Sequence, residues 1–124
     1  MHGTALWFFL SAVFYVICGM LFGIWMSATH DHSLAPVHGH LNLIGWVTMA
    51  IFGLYYHLVP AAGESRLARL HFVVATIGLW IIVPGIKFAV EGTGETLAKI
   101  GSMVTILSLV LFAFIVVRSG RRTV

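Results

Sequence analysis

Long uncharged runs set the pattern of this chain. Asp, Glu, Lys and Arg are absent from Thr4–Thr29, Ser33–Ala62, Leu70–Ile86 and Ile100–Val117, and each run is strongly apolar. A helix needs about 20 predominantly apolar residues to cross the hydrocarbon core of a bilayer, within a range of about 17–25. All four runs meet that length, the last two near its short limit. The pattern predicts an all-α, integral membrane four-helix bundle, one domain over residues 1–124, with helices over roughly 4–27, 36–60, 68–86 and 96–117. Pro36 suits the first position of the second helix, where its missing N–H is not needed. Pro60 closes that helix, and Pro84 beside Gly85 predicts a kink or an early end in the third. Short connections make successive helices antiparallel neighbours.

Composition agrees with the pattern. The chain is 60% hydrophobic and 9% charged, against roughly 25% charged residues in a soluble domain, so it lacks the means to cover a water-facing surface. No Lys or Arg precedes the first run. That run is also longer than the apolar core of a signal peptide, about 7–15 residues, and is read as a retained helix. Its Trp7 and Trp25 are spaced to lie at the two membrane interfaces, and Gly19 with Gly23 would let another helix approach closely. Cys18 is the only cysteine, which rules out an intrachain disulfide and fits a packed apolar thiol.

The net charge of +3 is distributed by membrane side and is no footprint for nucleic acid. Arg66 and Arg69 lie between helices two and three, and Arg118, Arg121 and Arg122 follow helix four. The other two connections hold only Lys87 and Lys99. Basic residues favour the cytoplasmic side, so both termini are expected there, in a membrane such as the bacterial inner membrane.

Chemistry concentrates in Pro36-Val37-His38-Gly39-His40-Leu41-Asn42. Ionisable residues within a span are costly and usually functional. Positions two apart on an α-helix point about 200° from one another, so His38 and His40 cannot easily hold one ion. A single zinc on one helix prefers i,i+4 spacing. The pair suits a helix standing between two compartments, offering one axial ligand to each. Haem b fits: it is mostly apolar and takes histidine at its iron. Asn42 shares a face with His38 at i,i+4 and would orient a ligand, and Gly39 and Gly45 leave room for a flat macrocycle. Interfacial histidines wetted by headgroups are the plain alternative.

Elsewhere, His30-Asp31-His32 has the donor types of a zinc or copper clip, against the ordinary reading of a solvated turn. His57 lies about 26 Å along the helix from His40 and cannot share a haem with it. His57 and His71 are expected as interfacial histidines whose rings reach water, near enough in the chain's topology to approach each other. No span contains a carboxylate, and neither a phosphate-binding glycine loop nor a serine-nucleophile elbow is present.

The run His38-Gly39-His40-Leu41, then Gly45, Tyr55 or Tyr56, and Leu58-Val59-Pro60 resembles the tenth helix of the respiratory nitric oxide reductase large subunit, in the haem-copper oxidase superfamily. Arg69-Leu70-His71-Phe72 resembles the start of the helix that follows there, and the likeness spans about a third of the chain. The resemblance implies that His38 ligates a high-spin haem and His40 a low-spin haem across the helix. It further implies that Lys87 and Lys99 lie near haem propionates, and that a quinol or cytochrome supplies electrons. The departures are large. Relatives have twelve helices in three groups of four, and their second metal uses an adjacent histidine pair that this chain lacks. Three copies in closed symmetry would restore the count, with His38 of one copy and His40 of its neighbour facing one haem. A histidine-lined metal or proton transporter, and a cofactor-free structural or assembly subunit, are the competing classes.

Overall fold

A computed structural model describes residues 1–121; Arg122 of the basic tail lies outside the described residues. The protein is all-helical, with no strand among the described residues. Four helices are long and apolar enough to cross a membrane, which marks an integral membrane protein: α1 Gly3–Thr29, α2 Ala35–Leu58, α3 Arg66–Val90 and α4 Thr96–Gly120. α1 ends where His30 takes a left-handed conformation and its N–H bonds the Ser27 carbonyl. A single helical turn, Pro60–Gly63, separates α2 from α3. Ser65 then caps α3, its hydroxyl accepting the Ala68 N–H at 3.1 Å; such caps typically contribute about 1 kcal/mol.

Two features of the helices differ from expectation. α3 neither stops at residue 86 nor breaks at Pro84 but continues to Val90. Gly85 there lies against α4, where an added Cβ would stand 2.5 Å from the Ala98 nitrogen. Neighbouring helices of this kind are what make proline tolerable inside a membrane span. In α2, residues Leu41–Thr48 are π-helical. The wider turn begins directly after His40, and π segments recur at functional sites. Two of its side chains donate to helix carbonyls: Asn42 Nδ2 to His38, in the turn before it, at 2.9 Å, and Thr48 Oγ1 to Leu43, within it, at 2.8 Å.

Packing proceeds as two antiparallel pairs. α3 and α4 approach through small residues, as closely at Gly101, whose added Cβ would meet the Ile82 backbone at 2.5 Å, as at Gly85. Ser108 and Gly101 are buried in this seam, while Ser102 is exposed. α1 and α2 form the second pair, and Trp80 Nε1 donates to the Tyr15 hydroxyl at 3.0 Å to tie α3 to α1. The interior is apolar, and unlike in a soluble protein the outer surface is apolar as well. Leu10, Ile17, Leu21, Met103, Ile106 and Val110 are all exposed, as a lipid-facing surface requires. Trp7 and Trp25, near opposite ends of α1, are both exposed as well.

Candidate functional site

His38 and His40 face different surroundings. His38 is half-buried against α1. A Cβ at Gly23 would lie 3.1 Å from its Cε1, and its ring meets Phe22 edge-on at 5.9 Å between centroids. One turn on, Asn42 enters the space above Gly19, where an added Cβ would fall 2.8 Å from the Asn42 Cγ. The glycines spaced i,i+4 on α1 therefore receive two polar side chains spaced i,i+4 on α2. Tyr15 returns the arrangement, seating its Cβ 3.0 Å from where a Gly45 Cβ would be.

Asn42 Nδ2 stands 3.3 Å from both ring nitrogens of His38. A donor equidistant from both nitrogens does not point along the ring's single in-plane lone pair, so its bond to the His38 carbonyl at 2.9 Å is the one that holds it. The i,i+4 expectation placed Asn42 with His38, and they do touch.

His40 lies on the exposed side of α2. Its Nδ1 is 2.8 Å from the Pro36 carbonyl oxygen. A carbonyl only accepts, so the neutral ring carries its proton on Nδ1 and its lone pair on Nε2. Metal-ligating histidines are held in this manner, with the second nitrogen donating to a carbonyl or carboxylate. The bond fixes both tautomer and ring direction, and the Nε2 lone pair has no partner among the described residues.

The remaining candidates are less convergent. No group of three His, Cys, Asp or Glu side chains stands in metal-holding geometry among the described residues. His30, Asp31 and His32 are included in that statement. Asp31 Oδ1 instead accepts the Ser33 N–H at 3.0 Å, and hydrogen bonding from Ser33 holds its carboxyl below the ordinary range. Lys87 pairs with Glu91 at 2.9 Å and Lys99 with Glu95 at 3.5 Å, so both lysines already have carboxylate partners.

His71 corrects an expectation outright. It is not an interfacial ring reaching water but is 0% exposed. Phe8, Phe52, Tyr56 and Phe112 surround it at centroid distances of 5.0, 4.5, 5.9 and 5.4 Å. Its Nδ1 shares a 2.8 Å hydrogen bond with the Tyr56 hydroxyl, and its Nε2 has no partner among the described residues. His57 is exposed, so the pair expected to approach each other is replaced by Tyr56 and His71. A signal for this exists in the sequence. Ala68, His71, Ala75, Gly78, Leu79, Ile82 and Gly85 recur at three- and four-residue spacing and are the buried face of α3.

No protein family, curated protein or solved structure matches this chain. The functional reading therefore rests on the geometry and on the motif.

Proposed function

We propose that this membrane protein binds haem b at the His38–His40 end of α2 and carries electrons, with three copies closing into a ring. The observation that carries the reading is the His40 ring. Its Nδ1 is tied to the Pro36 carbonyl at 2.8 Å, and its Nε2 is presented on an exposed face of a membrane-spanning helix. An unpartnered lone pair on such a surface is costly in lipid, and ligation by iron relieves that cost without charging the ring. When bound, haem b exchanges an electron at its iron, or holds a diatomic gas where one axial position stays open.

The residues fit unequally. His40 fits an axial role as it stands. His38 fits a second axial role only with its ring turned away from Gly23, because α1 fills the space on that side. Asn42, bonded to the His38 carbonyl, steadies the backbone between the two. A three-copy ring brings the exposed side of each α2 against a neighbour and reproduces the twelve-helix count of the resembled family. The arginine-rich end lies in the cytoplasm on the charge rule, which sets the haem end on the opposite side. On that side Lys87 and Lys99, now paired with Glu91 and Glu95, would be the cations available to haem propionates, and a quinol or cytochrome would supply electrons. A metal transporter finds no group of three ligands in metal-holding geometry among the described residues.

Purification from haem-replete membranes tests the proposal. The expected result is a b-type Soret band on a trimer, abolished in His40→Ala and weakened in His38→Ala. A colourless monomer, or an unchanged band in His40→Ala, refutes it.

A further inference from the structure

At the end opposite His40, a cavity of about 350 Å³ opens between the Pro60–Gly63 turn, the start of α3 and the end of α4. That size lies within the range of small-molecule sites, about 300–1,000 Å³. Arg66 from α3 and Arg118 from α4 both line it, and neither has an ion-pair partner among the described residues. Among the described residues Glu64 is the sole acidic side chain at this end of the bundle; it stands 3.9 Å from His2 and lines a different cavity, with Arg69. Two guanidiniums on different helices thus share one cavity with no carboxylate in its wall.

The hydroxyls on the wall divide by what they have left to give. Ser119 Oγ is spent, donating to the Ile115 carbonyl at 2.7 Å while the Tyr55 hydroxyl stands 2.6 Å away. Ser65 Oγ only accepts, from the Ala68 N–H, so its proton has no acceptor among the described residues. The rest of the wall includes Leu67 and Ile115. Two cations and one free hydroxyl proton beside apolar walls describe an amphiphile: an anionic head with hydrocarbon attached.

We infer that this cavity seats the phosphate of an anionic phospholipid, with Arg66 and Arg118 on the phosphate, Ser65 donating to it, and an acyl chain along Leu67 and Ile115. Basic pockets between membrane helices bind such headgroups, and guanidinium forks match phosphate oxygens. The inference is independent of haem binding. It concerns the other end of the molecule and would stand in colourless protein.

Native mass spectrometry of the full chain, released from mixed phosphatidylglycerol and phosphatidylcholine micelles, tests it. The expected result is retention of phosphatidylglycerol over phosphatidylcholine by on the order of tenfold. That preference disappears in Arg66→Gln/Arg118→Gln and in Ala61→Trp, which fills the cavity from its exposed rim. It persists in Lys87→Gln/Lys99→Gln at the other end. Equal retention of the two lipids, or a preference that survives both cavity variants, overturns the inference. Displacement of phosphatidylglycerol by equimolar inorganic phosphate overturns the lipid assignment.

Discussion

Gly19→Ala is the sharpest test of how α1 and α2 fit together. The added methyl would lie 2.8 Å from the Asn42 Cγ and Nδ2, and closer still to Oδ1. Carbon atoms prefer to stand about 3.5–4.0 Å apart. The amide cannot swing aside without losing its 2.9 Å bond to the His38 carbonyl, so the helices must part or the bond must break. Overpacking of this kind costs about 1–3 kcal/mol. Alanine in place of glycine inside a helix returns about 0.5–1 kcal/mol, which leaves a net loss of up to about 2.5 kcal/mol, about 1 kcal/mol at mid-range. Gly39→Ala is the control. Nothing lies within 4 Å of its added Cβ, so only the helix gain of about 0.5–1 kcal/mol remains and the sign reverses. Reversible unfolding in mixed detergent micelles, followed by tryptophan fluorescence, measures both. Adding Asn42→Ala to Gly19→Ala should recover part of the loss, with a coupling of about 0.5–3 kcal/mol expected for residues in contact. If Gly19→Ala and Gly39→Ala shift stability in the same direction, or the double variant is strictly additive, the glycine-and-amide seam is wrong.

Two other substitutions follow from the buried contacts. Tyr56→Phe leaves both nitrogens of His71 unpaired inside its aromatic enclosure and is expected to cost about 1–3 kcal/mol in the same unfolding assay, whereas His71→Phe, which removes the polar group itself, should cost less than Tyr56→Phe. Gly101→Ala directs a methyl at the Ile82 backbone, 2.5 Å away, which cannot rotate out of the way as a side chain can. It should therefore destabilise by more than Gly19→Ala and be poorly recovered from membranes; recovery and stability equal to the parent protein would contradict the α3–α4 seam.

The spans were legible because charge is so costly in lipid that its absence alone outlines them, and Gly19, Gly23 and the His38–Asn42 pair followed from helical spacing. What stayed hidden depends on partners in three dimensions. His71 resembles an interfacial histidine by position, second in the uncharged run Leu70–Ile86, and it is the rings of Phe8 on α1, Phe52 and Tyr56 on α2 and Phe112 on α4 that bury it. The π turn after His40 has no composition of its own, since Leu41–Thr48 reads as ordinary apolar helix. The Pro36 carbonyl that orients His40 is backbone, which a reading by residue type passes over. Pro84 misled about where the helix ends, because its cost is local while the support that α4 gives at Gly85 is not.

The seam between α1 and α2 also sets their register without slippage. Large groups pass from α2 into α1 at Gly23 and Gly19, and one passes back from α1 into α2 at Gly45. A slide of one turn, about 5.4 Å, would bring Asn42 to Gly23 in one direction, yet would drive Tyr15 onto the region of Met49. The opposite slide presents Asn42 to Tyr15. Because the sizes interlock in both senses, neither shift leaves every large group a hole, and the first two helices form a hairpin that carries its own alignment. The level at which His40 stands along α1 is thus fixed by three glycines that never touch it.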